Sequence, residues 1–85
     1  MNFFPCKILS PDSVVFDGEI WQLKARIPDG LFAIRNMHAD YVAKLAPGKI
    51  EVAETPEKRI SFEVSDGLIT FRNNQCLVVL SQAPR

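Results

Sequence analysis

Turn-forming residues break this chain about every eight to twelve positions, and no stretch between the breaks sustains a helical period. The breaks are Ser10-Pro11-Asp12, Asp17-Gly18, Pro28-Asp29-Gly30, Pro47-Gly48, Glu54 to Lys58, Asp66-Gly67 and Asn73-Asn74. Proline pre-sets φ for a turn, glycine and asparagine tolerate left-handed backbone, and aspartate caps its own main chain. The segments left between them have the length and composition of strands. This spacing predicts an all-β chain, an antiparallel two-sheet sandwich or flattened barrel of about eight to ten short strands. Gly18, Gly30, Pro47, Gly48 and Gly67 are the expected structural turn positions.

Alternation within the segments predicts which side chains face inward. The clearest case is Trp21, Leu23, Ala25 and Ile27 on one face against Gln22, Lys24 and Arg26 on the other. Ile50 and Val52 alternate with Lys49 and Glu51, and Ile60, Phe62 and Val64 alternate with Ser61 and Glu63. The expected core is Trp21, Leu23, Ala25, Ile27, Ile60, Phe62, Val64, Val78 and Leu80. Phe3 to Leu9 is an expected strand whose Pro5 suits a sheet edge. Val14 to Phe16 is a short strand stopped by Asp17-Gly18. Cys76 to Leu80 is apolar on both faces, which predicts a central strand covered on both sides. The stretch from Pro28 to Gly48 organises the rest: two short strands, Leu31 to Ile34 and Tyr41 to Ala46, joined by a polar corner from Arg35 to Asp40.

With 85 residues, the chain is expected to be a single β-sandwich domain, residues 1–85. A chain of this size buries roughly 60–65% of its unfolded surface, a thin core. Ten basic and ten acidic residues cancel, so no long-range field attracts phosphates and nucleic acid is not an expected partner. The apolar runs fall far short of the roughly 18 residues of a membrane span. The N-terminus lacks the charged leader and apolar stretch of a signal peptide, so the chain is expected to stay on the side where it is made. Cys6 and Cys76, with one histidine, are too few for a zinc site. A disulfide is geometrically open to them, but two buried, reduced, structural thiols are the expectation.

His38 is the first candidate for chemistry. A catalytic histidine needs a nucleophile or an orienting carboxylate, and Asp40 is the only one near it in sequence. Two positions on a bent corner do not specify a dyad, and a histidine hydrogen-bonded to hold the corner is the simpler reading. Glu19, Glu51, Glu57 and Glu63 lie on polar faces or loops; Asp12, Asp17, Asp29 and Asp66 lie in turns. No phosphate-cradling loop, metal-ligand cluster or nucleophile elbow is present. No catalytic, cofactor or metal site is therefore expected, and a binding or structural role is. Leu31 and Phe32 fit it: a tip directly after a turn is usually polar, and an apolar one either plugs the sandwich end or faces a partner.

These residues together resemble the epsilon-subunit family of F-type ATP synthase, in its N-terminal β-sandwich domain. Phe16-x-Gly18-Glu19 is followed by Asp29-Gly30-x-Phe32-Ala33-Ile34, similar to the family's D-G-x-x-G-I/V/L. His38-Ala39 matches the G-H-A corner, and Leu45-x-Pro47-Gly48-x-Ile50 matches L-x-P-G-x-I/L/V. Phe62-x-Val64-x-Asp66-Gly67-Leu68-Ile69 and Asn74-x-Cys76-Leu77-Val78-Val79-Leu80 resemble its last two strand segments. The corner here reads Asn36-Met37-His38-Ala39-Asp40 where the family has P-G-H-A-P, and Ala33 replaces a usual glycine. The resemblance reaches Arg85, ahead of the helical hairpin with which the family continues. ATP binding and ATPase inhibition, which the family assigns to that hairpin, are not expected of this polypeptide.

The resemblance implies a non-catalytic central-stalk subunit that binds the gamma subunit and the polar loops of the c-ring, coupling ion-driven rotation to ATP synthesis. It implies a peripheral place on the cytoplasmic face of the energy-transducing membrane, with membrane contact only through the complex. Asp29, Gly30, Leu31, Phe32 and His38 are the implied c-ring-side residues. The alternative is a small stand-alone enzyme or ligand-binding module with its polar groups gathered around His38.

Overall fold

In the computed structural model, which describes residues 2–84, the chain forms β1 (Phe4–Leu9), β2 (Val14–Ile20), β3 (Gln22–Ile27), β4 (Gly30–Arg35), β5 (Tyr41–Lys44), β6 (Gly48–Ala53), β7 (Arg59–Val64), β8 (Gly67–Arg72) and β9 (Gln75–Leu80). They make a five-stranded sheet in the order β2-β1-β9-β8-β5 and a four-stranded sheet in the order β4-β3-β6-β7. The expected all-β, two-sheet architecture is what the structure shows. It differs in one pairing: β1 and β9 run parallel, and the other six pairings are antiparallel.

The core lies between the sheets. Phe4, Ile8, Ile20, Ile69, Phe71 and Val78 from the larger sheet meet Leu23, Ile34, Ile50 and Val52 from the smaller one, all nearly inaccessible to solvent. Phe4 and Phe71 pack edge-to-face with centroids 5.5 Å apart, the arrangement favoured by ring quadrupoles. Of the expected core, Leu23, Ala25, Val78 and Leu80 are buried. Ile60, Phe62 and Val64 are only half-buried, because β7 is an outer strand with one neighbour, β6.

Trp21 leaves its expected inner side, and Gln22, on its expected outer side opposite Arg35, is buried there. The chain passes from the larger sheet to the smaller one through Trp21 alone, whose N–H donates to the Ala53 carbonyl at 2.8 Å. A one-residue crossover leaves the indole at the rim, half-buried, with the Arg35 guanidinium 4.1 Å above its ring. Gln22 is tucked in at 6% exposure and accepts a hydrogen bond from Arg35 Nε at 2.7 Å.

Two other sequence expectations need correction. Gly18 is not a turn: β2 runs through it, with Gly18 opposite Cys6. The Phe16 ring lies 3.5 Å from where a Gly18 Cβ would stand, so the aromatic ring covers the glycine and the strand continues. The start of β1 is at an edge, as Pro5 implies: β1 lies between β2 and β9, but pairing with β9 begins at Cys6, so the missing N–H breaks no bond there. The second correction is that β9 is central in its sheet but covered on one side only: Cys76, Val78 and Leu80 are buried, while Leu77 and Val79 are exposed. A two-layer sandwich has a single interior, so no strand in it is covered twice.

The other three glycines expected at turns each open a strand. Gly30 and Gly48 take positive φ values of 129° and 149° at the starts of β4 and β6. Gly67 opens β8, where a Cβ would stand 2.7 Å from the Val79 carbonyl oxygen. Asn73 and Asn74, with φ of 52° and 59°, form the two-residue hairpin between β8 and β9. Both cysteines are buried and free.

Candidate functional site

The β3–β4 turn divides the two apolar tip residues between the two roles open to them. Gly30 bends the chain into open space, with nothing within 4 Å of a would-be Cβ. Alternation then sends Leu31 outward, 63% exposed. Phe32 turns inward, half-buried, its ring 5.2 Å from Tyr41 of the opposite sheet. Phe32 therefore plugs the sandwich, and Leu31 is the free tip.

His38 sits elsewhere, in the corner beyond the other end of β4. Asp29, Gly30 and Leu31 form one cluster at the turn; Tyr41 bridges Phe32, 5.2 Å away between ring centroids, and His38. Its ring is edge-on to Tyr41 and Phe71, with centroids 6.0 and 5.8 Å away. Its Nδ1 pairs with the Ala39 carbonyl at 2.7 Å, which makes that nitrogen the N–H donor. Asp40 does not orient it: Asp40 Oδ1 accepts the Asn73 N–H at 3.3 Å. Asn74 Oδ1 accepts the Met37 N–H at 2.7 Å, and Asn74 Nδ2 donates to Asn36 Oδ1 at 2.9 Å. The corner is thus stitched to the β8–β9 turn, and Met37 is held at φ 64° with its side chain 75% exposed. Left-handed backbone costs a non-glycine residue roughly 1–2 kcal/mol, and the asparagine bonds hold it there.

The outer face of the five-stranded sheet carries the feature that sequence reading missed. The registers align Val14, Leu9, Val79 and Leu68 in one row across β2, β1, β9 and β8. The next row brings Lys7, Leu77, Thr70 and Val42 together, with Asp17 at its end. Val14, Val42, Leu68 and Val79 are 45–58% exposed and Leu77 is 38% exposed. Such a contiguous apolar surface marks a docking face. The available signal was the size of the chain: two layers cannot cover an apolar strand twice.

The outer face of the four-stranded sheet has the opposite character. Lys24, Arg26, Arg35, Lys49 and Arg59 are interleaved with Glu51 and Glu63 across β3, β4, β6 and β7. Arg59 Nη1 meets Glu51 Oε1 at 2.8 Å. Among the described residues, no group of three or more His, Cys, Asp or Glu side chains is placed to hold a metal ion. Among the same residues, no helix is long and apolar enough to cross a membrane. What the arrangement offers is surfaces: an apolar sheet face, an apolar tip at Leu31 and a stitched corner at His38.

A family model described as the ATP synthase delta/epsilon chain β-sandwich domain matches residues 3–85. An ATP synthase epsilon chain of Ruminococcus albus is 30% identical over 83 residues, 98% of this chain and 61% of that one. One from Persephonella marina is 26% identical, over 94% of this chain and 59% of that one. The chain thus spans about three-fifths of the length of these relatives. In fold it is similar to a chain in the mitochondrial ATP synthase of Euglena gracilis, with a TM-score of 0.88 and 18% identity over 96% of this chain and 53% of that one. A chain in the central stalk and c-ring of the Tetrahymena thermophila mitochondrial ATP synthase gives a TM-score of 0.78 at 18% identity, over 92% of this chain and 63% of that one.

Proposed function

The chain belongs to the family of the ATP synthase delta/epsilon chain β-sandwich domain, and from that premise we propose that it is a non-catalytic central-stalk subunit of an F-type ATP synthase. It binds the gamma subunit and meets the polar loops of the c-ring, passing ion-driven rotation to the catalytic head. It is peripheral to the membrane, on the cytoplasmic face, and reaches the membrane only through the complex.

The observation that carries this reading is the apolar outer face of Val14, Leu9, Val79, Leu68, Leu77 and Val42. A subunit that rotates as one body with its neighbours needs a broad, dry contact. We assign this face to the gamma subunit. Burying one of its exposed aliphatic side chains contributes roughly 1.5–3 kcal/mol, so a few of them support a stable assembly. The Asp29-Gly30-Leu31 tip is the c-ring contact, with Phe32 supporting it from inside. His38, beyond the far end of β4, holds the corner on the c-ring side, tied to Phe32 through their shared contact with Tyr41.

The enzyme reading has less support. The His38 ring is engaged by Ala39, Tyr41 and Phe71, and Asp40 is turned to Asn73. Co-purification with a gamma subunit tests the proposal. The expected result is a stoichiometric complex that survives gel filtration and is weakened by Val79→Asp on the apolar face. A chain that elutes alone overturns it.

A further inference from the structure

Cys6 and Cys76 are Cα partners on β1 and β9, the parallel pair that joins the two ends of the chain. Partners on neighbouring strands project to the same side of a sheet, and both thiols project inward, 2% and 4% exposed. Neighbouring strands lie roughly 4.7–4.9 Å apart, inside the roughly 4.4–6.8 Å Cα window of a disulfide. The neighbouring Cys76 thiol, burial and the charge at Asp17 together push the Cys6 thiol far above its ordinary range.

We infer that Cys6 and Cys76 form a latent disulfide site, closed by exchange with a low-molecular-weight disulfide, that seals the seam between the two ends of the chain. One protein thiolate attacks a sulfur of the small disulfide, giving a mixed disulfide and releasing one small thiol. The second protein thiolate attacks the protein sulfur of that mixed disulfide, forming the Cys6–Cys76 bond and releasing the other. Two protons and two electrons leave the protein, and the small disulfide is reduced to two thiols. The product is neutral, which suits a site beside Ile8, Phe71 and Val78; two thiolates around a soft monovalent metal would leave net charge in that core.

Burial and the raised Cys6 pKa keep the pair inert in the closed sheet, so the bond forms when the seam opens. Opening there parts β2-β1 from β9-β8-β5. The same seam runs through the apolar outer face, between Leu9 and Val79 and between Lys7 and Leu77. The bond would hold both halves of that face in register. The site stands whether or not the face is a docking surface.

The test is to incubate the folded chain with oxidised glutathione, with and without sub-denaturing urea, and follow intact mass, peptide map and melting. The expected product is a monomer lighter by two hydrogens, with a Cys6–Cys76 linked peptide. It forms faster in urea, melts on the order of 10 °C higher, and reverts with dithiothreitol. Cys76→Ala should carry at most one glutathione and show no rise in melting. The inference is overturned if the native chain accumulates glutathione adducts without the internal link, forms intermolecular dimers, or gives a linked species that melts no higher than the reduced one.

Discussion

The two sheets share one interior and present two unlike exteriors. On the four-stranded sheet, Lys24, Arg26, Lys49, Glu51, Arg59 and Glu63 make the outer face largely charged, and only β4 adds apolar residues to it, Leu31 and Ala33. On the five-stranded sheet, β9 and its neighbours put aliphatic side chains on both sides, and the outer face is a band of valine and leucine. Water satisfies the first surface and is excluded from nothing by it. The second surface is costly to leave wet, which is why it reads as an interface. The difference teaches that a broken alternation in a thin sandwich marks a face that the two described layers leave uncovered, and so a candidate contact surface.

Comparing the interior strand β8 with the outer strand β7 gives the largest effect. Phe71→Ala removes a fully buried ring and should cost about 3–5 kcal/mol, which approaches the whole stability of a domain this size, about 4–13 kcal/mol. Phe62→Ala, on outer strand β7, should cost clearly less. Equal losses in urea melts would mean that the two sheets bury their inner faces alike.

Gly67→Ala comes next. Its Cβ would stand 2.7 Å from the Val79 carbonyl oxygen, with Leu80 Cδ2 at 3.1 Å and Leu45 Cδ1 at 3.2 Å. Backbone cannot yield as a flexible side chain does, so β8 must shift off β9, at about 1–3 kcal/mol. Hydrogen exchange should show the loss concentrated in β8 and β9, beneath the apolar face, with β3 and β6 unaffected.

Val79→Asp addresses the exteriors directly. Melting of the free chain should change by under about 1 kcal/mol. Affinity for the gamma subunit should fall by roughly 1.5–3 kcal/mol, about ten- to a hundredfold in Kd. Lys24→Ala on the other face should alter neither quantity. If Lys24→Ala weakens the complex and Val79→Asp does not, the two faces have been assigned the wrong way round.

The smallest change in stability is expected at Leu31, exposed at the end of β4 opposite Arg26. Leu31→Asp should leave melting within about 0.5 kcal/mol while weakening c-ring association. Because the native contact there is apolar, association of the unmodified chain should vary little with ionic strength; a charge pair would be screened by salt. A steep salt dependence would show that charges rather than Leu31 carry the contact.

What the sequence determined by itself was everything set by near neighbours along the chain. Turn chemistry placed Gly30, Gly48, Gly67 and the Asn73-Asn74 hairpin, and period-two patterning gave strands whose number and type match the structure. Its inward assignments succeeded at Leu23, Ala25, Val78 and Leu80, where strands have neighbours on both sides. The tertiary structure decided what depends on residues far apart in the chain. It set the parallel meeting of β1 with β9, which brings Cys6 to Cys76, and the one-residue crossover that moved Trp21 to the rim. It also continued β2 through Gly18, carried Phe32 inward and Leu31 outward, and left Val79 and Leu77 bare. The physical reason is that alternation tells which residues share a side of a strand. Whether that side is buried depends on what packs against it, and a short window of sequence does not contain those atoms.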